Sequence, residues 1–93
     1  MTRLEAQVIA DEIHEAAAAV PASKWFGDKV FLADIAERLD VKLESIAGQL
    51  IAAHQLDAIV LARFDLTPVY GGAEVARSEI KHENATMHVV VMR

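Results

Sequence analysis

Four histidines, His14, His54, His82 and His88, are the imidazole ligands in a 93-residue chain with no cysteine. They scatter over three expected elements. His82 and His88 are an even number of residues apart, so a strand running through both would turn the rings to one face, with Glu83 nearby. Two histidines and one carboxylate at such a place are far more often solvated or structural than zinc ligands, so no metal and no cofactor is expected. The lack of cysteine removes thiolate metal sites and thiol nucleophiles. Ser23, Ser45 and Ser78 have no strand–turn–helix context that would make one of them a nucleophile, and no Lys-Ser/Thr pair follows Gly71-Gly72 to make a phosphate loop. The carboxylates fall on expected outer faces, without an apolar pocket to raise a pKa for acid–base work. These residues point away from an enzyme.

Charge narrows the partner classes next. Fourteen acidic against nine basic side chains give a formal charge of −5. Residues 1–20 hold four acids and one base, and the rest ten acids and eight bases. A polyanion is repelled on average, but a local basic patch can outweigh this within the ~8–10 Å over which salt leaves charges unscreened. A nucleic-acid partner is therefore not excluded, while strong non-specific binding is disfavoured. No stretch approaches the ~18 apolar residues of a membrane span. Glu5, Asp11, Glu12 and Glu15 interrupt the first apolar stretch, unlike a signal peptide. The expectation is a cytoplasmic chain with no membrane partner.

The elements that position these residues follow from spacing. Thr2-Arg3-Leu4-Glu5 fits a capping box, and Ala6, Ile9, Ile13, Ala16, Ala17 and Val20 recur at helical period, which predicts a first helix over about 3–20, ended by Pro21. Leu4 and Val8 lie off that stripe. Residues 21–28 read as a connector in which Trp25 and Phe26 plug the space between the first helix and the rest. Lys29-Val30-Phe31 fits an edge strand. Leu32, Ile35, Ala36 and Leu39 predict a short second helix, Asp40-Val41-Lys42 a tight turn, and Leu43, Ile46, Ala47 and Leu50 a third helix over about 43–55. The β-branched runs 59–64 and 87–92 read as antiparallel strands. Between them, residues 65–86 form a long loop with turn signals at Pro68, Gly71-Gly72 and Asn84, in which 73–81 is a short helix or an ordered arm. With 54% hydrophobic residues, the chain supports one modest core, a single domain over 1–93.

That order, with Leu32, Ile35, Ala36 and Leu39, then Val41, then Ile46 and Leu50, then Leu56 and Ile59, resembles the winged helix-turn-helix family. The resemblance implies an α+β fold of three helices with a small antiparallel β-sheet and a long wing loop. Ala36 would let two helices cross closely while Val41 closes their corner. Asp40 stands where the family often has glycine, and aspartate tolerates left-handed geometry better than most residues. The stretch from Val75 to Val89 also resembles the close of winged-helix modules in larger bacterial proteins, which implies an accessory module.

DNA binding, in a transcriptional regulator or accessory module, is what family frequency implies first. On that reading Lys42, Arg63, Arg77 and Lys81 hold phosphates, while Ser45 and Gln49 face bases. The third helix, however, has no Lys or Arg over 43–55, and Gly48 inside it suggests close approach of another backbone or a weak point. Arg77 and Lys81 equally fit solvated charges interleaved with Glu74, Glu79 and Glu83. The alternative is an acidic protein–protein interaction module of a larger complex. Leu4 and Val8, stranded on an acidic face, predict a homodimer through the first helix.

Overall fold

The computed structural model describes residues 1–64 and 72–92. Pro68 and Gly71 lie outside them. Helix α1 (Arg3–Ala18) starts at the expected capping box: the Thr2 hydroxyl accepts from the Glu5 N–H at 3.1 Å, and the Glu5 carboxylate accepts from the Thr2 N–H at 3.2 Å. It ends two residues earlier than the sequence suggests, because the Val20 N–H turns back to the Ala17 carbonyl ahead of Pro21. Its inner face is lined by Ala6, Ala10, Ile13, Ala16 and Ala17, so small side chains bring α1 close to its neighbours. A short 3-10 turn (Ala22–Lys24) leads to β1 (Lys29–Phe31) and α2 (Leu32–Arg38), and α3 (Leu43–Gln55) follows.

Both α2 and α3 end on a left-handed aspartate. At the first, the Asp40 N–H reaches the Glu37 carbonyl and the Val41 N–H the Ala36 carbonyl, with φ of 56° at Asp40. At the second, Asp57 (φ 61°) and Ala58 repeat the pattern on His54 and Ala53. This paired bonding satisfies carbonyls that a helix end leaves open. The expectation for Asp40 holds. Val41, however, is exposed; its backbone closes the corner, and its side chain does not.

Among the described residues the strands form a three-stranded antiparallel sheet, ordered β1–β5–β2, and a separate hairpin of β3 (Ile80–His82) with β4 (Ala85–Met87). Strand β2 is Leu61–Ala62 and β5 is Val89–Val91, so the two long runs pair antiparallel as expected, over a shorter stretch. The C-terminal run is not one strand: it breaks at His88, with β4 before and β5 after. The long loop also holds more order than turn signals indicate, since helix α4 (Gly72–Arg77) and the hairpin fill its described part.

The sheet register divides the interior in two. Val30 pairs with Val90 and Leu61 with Val90, and these side chains join Ile13, Leu32, Ile35, Leu50 and Ala53 in the larger core. Phe31 and Ala62 both pair with Val89, on the opposite face, with Phe64, Val75 and Phe26. Strand alternation therefore carries Phe31 to the face away from Ile35 and Leu50. Leu39 and Ile46 are half-buried at the edge of the larger core. The aromatic pair is divided likewise. The Trp25 indole N–H donates to the Val20 carbonyl at 3.0 Å, whereas Phe26 stacks edge-on against Phe64 with centroids 5.2 Å apart. No helix among the described residues is long and apolar enough to cross a membrane.

Candidate functional site

The residue that precedes helix α2, Phe31, offers no side-chain cap, so the helix's first N–H groups need partners from elsewhere. The Leu32 N–H donates to the His88 carbonyl at 3.0 Å, and the Ala33 N–H donates to the Ser78 hydroxyl at 3.1 Å. Ser78 is fully buried. These two bonds pin the segment 72–88 onto the front of α2. The sequence held one signal for them, a helix start without Ser, Thr, Asp or Asn.

Docking of that segment leaves an open groove of about 1140 Å³ between the α2–α3 corner and the α4–β3 side. Ala33, Ala36, Val41, Leu43, Ala47 and Ile80 supply its apolar lining. Three of the expected basic residues meet there: Lys42, Arg77 and Lys81. They do not make a continuous positive face, because Glu37, Asp40, Glu44 and Glu79 line the same groove. Arg77 approaches the Glu37 carboxylate at 4.0 Å, and Lys81 approaches Glu79 at 3.3 Å. Lys42 precedes α3 without a side-chain bond to it.

Arg63 lines a smaller cleft of about 390 Å³ with Phe64, Val75, Thr86 and His88. Glu79 and Lys81 belong to both linings, so groove and cleft adjoin at these two residues. His88 is 5% exposed; its Nδ1 accepts from the Phe64 N–H at 3.1 Å, which places the proton of the neutral ring on Nε2. That Nε2 lies 3.6 Å from Glu79. The Lys81 ammonium, chiefly by its hydrogen bond, holds the Glu79 carboxyl below the usual carboxylate range, with His88 adding to the effect.

Ser45 and Gln49 stand apart, exposed one helical turn from each other on α3 and outside both linings. The Ser45 hydroxyl donates to the Lys42 carbonyl at 2.6 Å, so its proton serves the first turn of α3. Gly48 lies on the same exposed surface, and a Cβ built there meets no atom of the described residues within 4 Å, its own helix backbone aside. Among the described residues, no backbone outside its own helix approaches it. Leu4 and Val8 are 77% and 51% exposed on α1, beside Met1 at 49%.

The histidines do not gather. His54 accepts from the Leu61 N–H at 3.2 Å, His82 meets the Gln55 amide at 3.0 Å, and His88 serves Phe64. Among the described residues no three His, Asp or Glu side chains are grouped to hold a metal ion. Asp34 corrects the expectation that every carboxylate faces outward: it is buried in the first turn of α2, 3.8 Å from the Lys24 ammonium. Comparison with family models, with curated proteins and with solved structures finds no match to this chain.

Proposed function

We propose that this chain is a winged-helix-type domain that acts by docking on another protein, without catalysis. The winged-helix reading is supported by the order of α1, β1, α2, α3, β2 and β5, the left-handed turn at Asp40, and the β1–β5–β2 sheet. The docking reading is carried by one observation: the groove at the front of α3 has an apolar floor and charges of both signs. A duplex presents one negative charge per ~1.7 Å of axis and would meet four carboxylates there. A peptide, with apolar anchors and mixed charge, suits such a lining better.

Selection of peptides on the intact chain from a displayed random library tests this. The selected peptides should lose binding to Val41→Glu and Ala47→Arg variants that keep the wild-type circular dichroism spectrum. Undiminished binding to both variants refutes the groove as the docking surface.

A second reading, DNA binding, is favoured by the convergence of Lys42, Arg77 and Lys81 on one groove with Arg63 next to it. Each phosphate contact would steepen the log–log salt dependence by about 0.9. The Arg77→Ala, Lys81→Ala double variant should flatten that slope, and affinity indifferent to salt removes this reading. The exposure of Leu4, Val8 and Met1 supports self-association through α1. Light scattering at micromolar concentration should give a dimer that the Leu4→Ser, Val8→Ser variant abolishes; a monomeric wild type ends the proposal.

A further inference from the structure

We infer that the cleft beside the groove is a carboxylate site, occupied in the free chain by Glu79, and that it takes an acidic side chain or C-terminal carboxylate of the docked segment. The partner's part in this rests on the docking reading above; the carboxylate site does not.

The chemistry of the lining carries the inference. The neutral His88 ring has only one tautomer compatible with Phe64 donating to its Nδ1, so an Nε2–H faces Glu79 from a ring that is almost wholly buried. The Lys81 ammonium approaches the other carboxylate oxygen, Oε1, while His88 faces Oε2. One carboxylate thus bridges a permanent cation and a buried, pre-oriented donor, the arrangement that recognises an oxyanion. Thr86 adds a hydroxyl and Arg63 a second cation to the lining, in which Glu79 is the one carboxylate among the described residues. The hold on Glu79 is loose, since the His88 contact is 3.6 Å and the Glu79 side chain stays 37% exposed. An external carboxylate can therefore take its place without opening the core.

Contiguity sets the partner's polarity. Because Glu79 and Lys81 line both spaces, a segment that leaves the groove on the β3 side would reach the cleft. At the corner between α2 and α3 the groove presents Asp40 and Glu44 with Lys42 between them, a net negative end that favours a basic residue. A bound segment would then carry its base toward the corner and its acid toward His88, and the reversed orientation would place like charges together at both ends.

Acetate is the probe. Sodium acetate is titrated into the intact wild-type chain and into Glu79→Gln at constant ionic strength, with sodium chloride as the control, and amide shifts are followed by NMR. Acetate-specific shifts should cluster at Phe64, residue 79, Lys81, Thr86 and His88. Glu79→Gln should bind acetate about five-fold more tightly, the factor that one like charge removed from ~4 Å is worth in water. Lys81→Gln should weaken it. Shifts that chloride reproduces, or no cleft shifts in either protein, overturn the inference. If acetate titrates the cleft while selected peptides ignore the groove variants, the carboxylate site stands and the docking reading alone falls.

Discussion

Gly48→Ala offers the sharpest test of how α3 is used. Glycine inside a helix costs about 0.5–1 kcal/mol relative to alanine, because it loses more backbone freedom on folding. Alanine recovers that only where its methyl has room and the backbone is ordinary. Gly48 meets both conditions: it lies inside Leu43–Gln55, and beyond its own helix an added Cβ finds no atom of the described residues within 4 Å. The variant should be more stable by about 0.5–1 kcal/mol, and a domain of this size then gains roughly 2–8 °C in Tm. Circular dichroism at the helix band during heating, with urea titration at an unchanged m-value, reads it directly. Unchanged or lowered stability would refute the open, helical environment assigned to Gly48. Binding adds a second axis. A partner seated in the groove leaves the affinity of Gly48→Ala unaltered, whereas a partner pressed on the outer face of α3 loses affinity although the fold is firmer.

Four further outcomes follow from the packing. Leu50 is buried in the larger core, so Leu50→Ala should cost about 2–5 kcal/mol in chemical denaturation, and a wild-type midpoint would contradict that core. Ser78→Ala strips the Ala33 N–H of its acceptor in a dry place and should cost about 1–3 kcal/mol, with faster amide exchange at Ala33. Asp40→Gly should stabilise by up to about 1 kcal/mol and Asp40→Val should destabilise, because φ is positive there; equal stability of the two variants would refute the left-handed turn. The Glu5 carboxyl is held below its ordinary value, first by the Thr2 hydrogen bond, so its stabilisation is present above the unfolded pKa and lost as pH falls through the folded one. Glu5→Gln should accordingly reduce stability at neutral pH while converging with wild type in acid, as thermal melts across pH would record.

Much of the fold was legible because local rules coincided. The capping box, the period of Leu43 to Leu50 and the aspartate at the turn each specify backbone geometry within a few residues. The hairpin of β3 and β4 was not legible. Asn84 marked its turn, but the positive φ of the Glu83-Asn84 connection falls on glutamate, and the three-residue strands on either side carry no strand pattern of their own. The face that Phe31 takes was not legible for a different reason: a three-residue strand carries no sign of which face meets the helices, and only its register on Val89 decides it. Lys42, Arg77 and Lys81 were found by type, and the structure brings them together. The acids interleaved with them were visible in sequence as well, but not their place in the same groove. The buried pair of Ser78 and His88 was missed because each serves backbone groups distant in sequence, which composition and period do not register.

The central place of β5 has a consequence for how the chain acquires its shape during synthesis. Both outer strands, β1 and β2, bond only to β5 within the three-stranded sheet, and β5 follows every other described element in sequence. Helices α1 to α3 and strands β1 and β2 all precede β5 in sequence, so both strands lack their partner until it is made. Until residues 89–91 arrive, Val30, Phe31 and Leu61 sit on open strand edges, the kind of surface that recruits other chains. Insertion of β5 then closes both ladders and both apolar layers in one event, with its two sides buried at once. Folding of this domain is thus gated by its latest strand, and truncation or slow translation just before Val89 would expose a sticky half-sheet; disruption of α4 would leave that gate in place.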